Sequence, residues 1–186
     1  AAAPEVALRS DFATSLAFEP FLYPSEDGVV SFDFKTSDKL STFVVSVFAH
    51  DKNMNNSVVR REMLVTLPVK VSVVQPQYLY VGDRYVLNAA VSNVSEAAVS
   101  GDAVVEVYAG GSHEGAEPLA RSAVRVDVPV GGVASVPFDM TVPSGVDTLG
   151  FKVVFADGQM SDGLFVTVPV YEASQVIREA HSAVLL

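Results

Sequence analysis

Residues 67–93 constrain the fold more than any other part of the sequence. This stretch begins LPVKVSVV, in which the valines at 69, 71 and 73 alternate with polar residues. A period of two is typical of a strand with one buried face. Pro68 cannot donate a ladder hydrogen bond and therefore suits the beginning of a strand. After a turn at Val81-Gly82-Asp83, a second alternating run, YVLNAAVSN, ends at Asn93. The stretch therefore closes one β unit and opens another.

Turn signals recur after this stretch as far as residue 170. Gly-Gly at 131–132, Pro-Ser-Gly at 143–145 and Asp-Gly at 157–158 separate runs rich in β-branched residues. Seven strands are predicted, at about 69–74, 84–91, 103–109, 120–128, 133–141, 149–156 and 163–170. Short strands at this spacing predict an all-β fold, a β-sandwich of the immunoglobulin or fibronectin-III type.

The part before Pro68 has fewer strand signals. Strands are predicted around 15–23, 30–34, 42–50 and 58–66, too few for a complete sandwich, so this part is expected to be half a domain. The run TFVVSVFAH is apolar on both faces at Val44, Val45, Val47 and Phe48. An uncovered sheet of this kind exposes an apolar patch and free edges. We expect either the tail at 171–186 or a second copy of the chain to cover it.

Three divisions of the chain follow from these patterns. Residues 1–67 are interpreted as a partial β unit, 68–170 as a seven-stranded sandwich, and 171–186 as a tail that leads to a further domain. The tail fits a helix face at Val176, Ile177, Ala180 and Val184, and it also fits an extended segment, which we favour. The start AAAPEVAL is featureless, so we expect the sequence to be a piece of a longer chain.

Composition excludes several classes of function. A net charge of −10 and a pI near 4.6 argue against nucleic acid or an anionic membrane as a partner, because binding phosphates needs a basic face. The sequence has no cysteine, which removes disulfides, thiolate metal sites, a cysteine nucleophile and a thioester from this segment. No apolar run approaches the roughly 18–20 residues of a membrane helix.

No catalytic, cofactor-binding or metal-binding residue is predicted. His50, His113 and His181 lie far apart in the sequence, and His113, in a Gly-rich tip, is expected to be a solvated loop residue. No serine lies in a GxSxG elbow. The aspartates beside glycines, at 27, 83, 157 and 162, are interpreted as turn residues rather than calcium ligands. The sequons at Asn55 and Asn93 are interpreted as coincidences. We therefore expect a protein that is not an enzyme.

A family resemblance runs through residues 9–170. The part before Pro68 resembles the α2-macroglobulin-family segment Arg-x-x-Phe, aromatic residues, Asp-Gly, a strand, then Leu-Thr-x-Trp. The matching positions are Arg9, Phe12, Phe18, Asp27, Gly28, Val30, Phe32 and Leu40-Ser41-Thr42-Phe43. The part after Pro68 is similar to the macroglobulin-like domain that follows, at Val73, Pro76, Tyr78, Leu79, Gly82, Asp83, Val91, Asn93 and Ser161-Asp162-Gly163. Three positions depart from the family pattern: Phe43 replaces Trp, Ser37-Asp38 replaces Pro-Asp, and Ala13 replaces Pro.

The resemblance implies a non-catalytic part of a bacterial protease trap. In this family a protease cleaves an exposed bait region, the molecule collapses around the protease, and some members add a Cys-containing thioester. Here the bait region is expected upstream of Arg9 and the thioester domain downstream of Leu186. The resemblance also implies a secreted, periplasmic or cell-envelope location. Its partners are expected to be other domains of the same chain and, through the full-length protein, proteases. Self-association of this segment is expected from the uncovered sheet.

A second function class stays open from the sequence. An extracellular adhesive or carbohydrate-binding module is the alternative, with loop tips such as 110–115 contacting a ligand. A parent chain above roughly a thousand residues with a downstream thioester-type domain favours the trap. Tandem copies of the sandwich beside a cell-wall anchor favour the module.

Overall fold

The computed structural model of the chain describes residues 6–173, and their secondary structure is all β, with no helix. The all-β prediction is therefore confirmed. No helix in the described part of the chain offers a candidate membrane span. The strands are β1 (Leu8–Arg9), β2 (Ser41–His50), β3 (Asn56–Val65), β4 (Val69–Val74), β5 (Leu79–Tyr80), β6 (Arg84–Asn93), β7 (Val99–Ala109), β8 (Ala120–Val128), β9 (Val133–Thr141), β10 (Thr148–Ala156) and β11 (Ser161–Tyr171).

Residues 69–171, together with β1, form a sandwich of two sheets. The larger sheet has the order β1-β11-β10-β7-β8, with β5 pairing with another part of β11, and the smaller sheet has the order β4-β6-β9. Neighbouring strands are antiparallel, except that β1 and β5 run parallel to β11. Each of the seven strands predicted in this region is present.

The β7 strand begins earlier than the sequence indicated. Residues 95–102 were expected to form a polar loop, but β7 begins at Val99, which pairs with Val128 and is buried. Gly101 allows this part of β7 to pack closely against β10, because a side chain there would collide with the backbone carbonyl of Ala156. Residues 95–98 remain a loop, and Ser100 and Asp102 are exposed positions of β7 that alternate with buried ones.

The hydrophobic core lies between these two sheets. Its largest fully buried side chains include Phe151 and Phe155 from β10 and Leu87 from β6. The alternation predicted for β6 is present, since Leu87, Ala89 and Val91 are buried. At about 25 cal/mol per Å² of apolar surface, burial of this cluster is the main source of stability in the described part of the chain.

In the described residues before Pro68, 6–67, there is a single hairpin. Strands β2 and β3 pair over their whole length, from Ser41 with Val65 to His50 with Asn56. The strands predicted at 15–23 and 30–34 are wrong, because both segments are irregular. Pro20 lies within the first of them and cannot donate to a ladder. In the second, Phe32 and Phe34 are half-buried and stack on each other, but no neighbouring strand pairs with their backbone.

Candidate functional site

The most specific polar arrangement in the described chain joins its beginning to its last strand. The guanidinium of Arg9 donates two hydrogen bonds to the carboxylate of Asp162, from Nε to Oδ1 at 2.8 Å and from Nη2 to Oδ2 at 2.6 Å. Asp162 is 2% exposed, and the side chain of Arg9 is 13% exposed. A two-point contact between a planar guanidinium and a carboxylate fixes the orientation of both groups.

The same two side chains also bind the free edge of β4. The Val71 amide donates to Asp162 Oδ2 at 2.7 Å, and the Val71 carbonyl accepts from Arg9 Nη2 at 2.6 Å. The carboxylate and guanidinium therefore satisfy the two backbone groups that a neighbouring strand would otherwise bind. Because β4 and β11 belong to different sheets, this contact joins the two layers of the sandwich. We call Arg9, Asp162 and Val71 the clasp.

The position of Asp162 corrects the sequence interpretation. Asp162 was expected to be a turn residue, but it lies inside β11 and is buried. The adjacent Gly163 pairs with Leu8, and a Cβ at that glycine would lie 2.8 Å from a Leu8 methyl group. Gly163 therefore lets β1 approach β11, and the neighbouring Asp162 binds the Arg9 side chain. Of the other three aspartates, Asp157 accepts hydrogen bonds from the amides of Gln159 and Met160 in a turn, as predicted.

A second polar cluster ties the same N-terminal segment to the beginning of the hairpin. One carboxylate oxygen of Asp38 accepts hydrogen bonds from the amides of Ser10 and Asp11, both at 3.0 Å. These two bonds lower the pKa of Asp38. The Asp38 amide donates to the Asp11 carbonyl at 2.7 Å, and the buried Ser37 hydroxyl donates to the Ala13 carbonyl. We call this cluster the Asp38 turn.

A third polar group lies on the outer face of the larger sheet. Glu106 is 6% exposed and accepts hydrogen bonds from Tyr108 at 2.8 Å and Arg121 at 3.1 Å, with the Lys152 ammonium at 3.2 Å. Burial favours a higher pKa for Glu106, but the bonds from Tyr108 and Lys152 outweigh it and hold this pKa below its ordinary value. Burial, followed by the bond to Glu106, raises the pKa of Tyr108 to about 12. The Glu106 carboxylate therefore joins Tyr108 of its own strand to Arg121 of β8 and Lys152 of β10.

His113 covers part of this face rather than pointing into solvent. Its ring lies 4.9 Å from the ring of Phe165 and 6.2 Å from that of Tyr108, centroid to centroid, and His113 is half-buried. The prediction of a solvated loop residue was therefore wrong. Gly110, at a φ of +90°, allows the chain to turn after β7 so that the loop lies back on the sheet.

The hairpin region presents an apolar trough. Residues 16–24 and strand β2 line an open cavity of about 720 Å³. Of the β2 side chains that the sequence singled out, Val47 (43% exposed) and Phe48 (63% exposed) line this cavity, whereas Val44 (58% exposed) does not. The expected covering by residues 171–186 falls largely on residues 174–186, which lie outside the described chain. This surface is suited to contact another protein segment.

Two other sequence features have structural explanations. Asn93 is fully buried, and its amide donates to the carbonyls of Ala97 and Val128 while its oxygen accepts from Ser95. The asparagine of this sequon therefore holds the loop after β6 in place through its side chain. His50 ends β2 beside the Phe48 ring, while His181 lies outside the described residues. Within residues 6–173, no three His, Asp or Glu side chains converge as a metal site.

Comparison with known families supports the resemblance. The model of the alpha-2-macroglobulin family matches residues 15–105. No curated protein matches the sequence. The native conformation of E. coli alpha-2-macroglobulin aligns with a TM-score of 0.56 and 14% identity, covering 81% of this chain and 9% of that one. Salmonella alpha-2-macroglobulin reacted with methylamine aligns with the same score, identity and coverage of this chain, and with 10% of its own length.

The extent of these matches determines what they show. A red sea bream transglutaminase aligns with a TM-score of only 0.46, at 11% identity over 57% of this chain and 17% of that one, and carries no argument. The chain spans 9–10% of the length of the two bacterial alpha-2-macroglobulins, and at 14% identity their likeness shows the fold. The family model over residues 15–105 and this fold together support an alpha-2-macroglobulin-like, macroglobulin-domain protein.

Proposed function

We propose that the chain is a non-catalytic structural segment of an α2-macroglobulin-like protease-trapping inhibitor. The observation that carries this proposal is the combination of a complete sandwich with an attached hairpin unit that has an exposed apolar trough and no core of its own. Such a unit is suited to bind other parts of a larger molecule. The family match extends across both parts, at residues 15–105.

The proposed domain organisation follows the same observation. Residues 1–67 form a partial unit that neighbouring parts of a longer chain complete, and residues 68–170 form the sandwich. Residues 171–186 lead to a downstream domain. Contacts cross the proposed division at β1, which pairs with β11, and at the Arg9 side chain, which binds Asp162 and Val71. The partners are other domains of the same chain and, through the full-length protein, proteases. The proposed location is secreted, periplasmic or associated with the cell envelope.

The alternative of an adhesive or carbohydrate-binding module is less well supported. That hypothesis needed the tip at 110–115 to be available for a ligand. Instead, His113 packs on Phe165 and Tyr108. The polar groups beneath this loop, centred on Glu106, already bind one another. No second function is therefore proposed.

The full-length parent protein tests the trap. After incubation with a protease, the parent protein should leave the protease active on a small peptide substrate. It should lower the activity of the protease on a large protein substrate. The double substitution Val47→Ser/Phe48→Ser in the apolar trough should weaken this protection at least several-fold. The matched control is Val74→Ser/Val133→Ser, at two valines of the sandwich that are 76% and 65% exposed.

Two results would contradict the proposal. The first is a parent protein that is cleaved by the protease but gives no protection to the large substrate. The second is stoichiometric inhibition of a protease by residues 1–186 alone, since this segment is proposed to lack the inhibitory elements.

A further inference from the structure

The clasp closes a long excursion of the chain. Arg9 and Val71 are 62 positions apart in the sequence, yet Arg9 Nη2 lies 2.6 Å from the Val71 carbonyl. The chain therefore pairs with the sandwich at β1, leaves it to form the hairpin, and returns to the same point at β4. We call residues 10–67 the lobe. Its two ends lie at the clasp.

The lobe has two attachments of different character. At its downstream end, Leu67 and Pro68 continue directly into β4, which the smaller sheet holds by pairing with β6. At its upstream end, β1 pairs with β11 only at Leu8 and Arg9. The Asp38 turn extends this upstream attachment to the residues just before β2, because Asp38 accepts from Ser10 and Asp11.

The lobe depends on these attachments for its position. Strands β2 and β3 pair extensively with each other and make few contacts with the strands of the sandwich. Between Val6 and Pro68 no hydrophobic side chain is buried to the degree seen in the core. Apolar packing between the lobe and the sandwich therefore contributes little to the position of the lobe. The polar bonds of the clasp are the main constraint at its upstream end.

The clasp has the properties of a two-state contact. Its open form requires the loss of two paired residues, one side-chain ion pair and the hydrogen bond from Arg9 to the Val71 carbonyl. Opening would leave the Asp162 carboxylate, 2% exposed, without its counter-charge, and this penalty favours reclosure. Arg9 binds Asp162 and Val71 through the same guanidinium, so a movement that breaks one contact also breaks the other. Such a contact is either formed or broken.

We propose that the clasp is a releasable latch that controls the freedom of the lobe. Closed, it holds the lobe by two attachments at one point of the sandwich. Open, it leaves the lobe tethered only through Leu67 and Pro68, free to change its orientation. Tension or rearrangement in the chain upstream of Leu8 acts directly on β1 and is the expected trigger. This inference concerns the mechanics of the chain and does not rest on protease trapping.

Distance measurements between spin labels test the latch on the chain itself. The sequence has no cysteine, so the substitutions Lys52→Cys in the hairpin turn and Asp127→Cys in β8 place two labels, both at exposed positions. With Arg9 present, the distance distribution should be narrow. With Arg9→Ala, it should be at least twofold broader. The matched control is Arg84→Ala, which breaks an exposed ion pair with Asp139 and should leave the distribution unchanged.

A charge-neutral variant separates release from misfolding. Arg9→Gln/Asp162→Asn removes both charges, so no carboxylate is left unpaired in the sandwich. It should keep a cooperative thermal transition, broaden the label distribution, and increase amide exchange at residues 8–13 at least tenfold. A distribution as narrow as that of the Arg84→Ala control would overturn the proposal. So would loss of the folded sandwich in both clasp variants, because the clasp would then be an inseparable part of the core.

Discussion

The lobe and the sandwich are both built from β-hairpins, but only the sandwich has a core. In β10, Phe151 and Phe155 are fully buried between two sheets. In β2, Phe48 is 63% exposed and Phe43 is half-buried. Both strands are rich in aromatic and β-branched residues. The difference shows that strand-forming residues create a core only where a second layer covers them.

The largest expected effect compares two phenylalanines. Phe151→Ala should lower the free energy of unfolding of the sandwich by about 3–5 kcal/mol, because it leaves a cavity in a closed core. Phe48→Ala in the lobe should change it by less than about 0.5 kcal/mol, since most of that side chain is exposed. Urea unfolding followed by far-UV circular dichroism measures both. Equal losses for the two variants would show that the lobe and the sandwich share one core.

A smaller effect concerns the outer face of the sandwich at alkaline pH. The pKa of Tyr108, raised to about 12 by burial and by Glu106, exceeds the ordinary value of 10.0. The folded chain therefore keeps this proton where the unfolded chain loses it. The stabilisation is fully present below about pH 10 and is lost as the pH rises towards 12, by about 2 kcal/mol.

The variant Tyr108→Phe tests this effect. It should cost about 1 kcal/mol at pH 8, through the lost hydrogen bond to Glu106. It should also flatten the decline in unfolding free energy between pH 10 and 12. The control is Tyr23→Phe, at a tyrosine of the lobe that is 83% exposed, and it should retain the wild-type decline. If the unfolding free energy of Tyr108→Phe fell between pH 10 and 12 as it does in the wild type, groups other than Tyr108 would be responsible for the fall.

The same contrast explains how much of the fold was predictable. In the sandwich, alternation and glycine-containing turns indicated seven strands, because burial on one face imposes a period of two on the sequence. In the lobe, Val30, Phe32 and Phe34 alternate in the same way, yet their segment is irregular. The pattern reports which side chains face an apolar surface. It does not report whether a neighbouring strand is available to bind the backbone.

The clasp was not predictable from pattern at all. Arg9 and Asp162 are 153 positions apart, and each has an ordinary local explanation, one as a surface arginine and the other as a turn residue beside a glycine. Both were singled out as matches to the family pattern, but nothing in a single sequence joins them. Burial of Asp162 follows from the path of β1 along β11, which only the folded chain reveals.

The smallest expected effect on stability is at the apolar surface of the lobe. Val44→Ser/Phe48→Ser changes two side chains that are 58% and 63% exposed, so the free energy of unfolding should shift by no more than about 0.5 kcal/mol.

Association of the chain should respond to this double variant much more strongly. The hairpin has two unpaired edges, because β2 and β3 bind only each other, and apolar residues line both of its faces. Two copies of the isolated chain are therefore expected to pair through the lobe. Sedimentation velocity over a range of concentrations should show dimers for the wild type and monomers for the double variant. The sandwich control Val74→Ser/Val133→Ser should behave as the wild type does. A wild-type chain that stays monomeric and binds no hydrophobic dye would show that the lobe covers its own apolar surface.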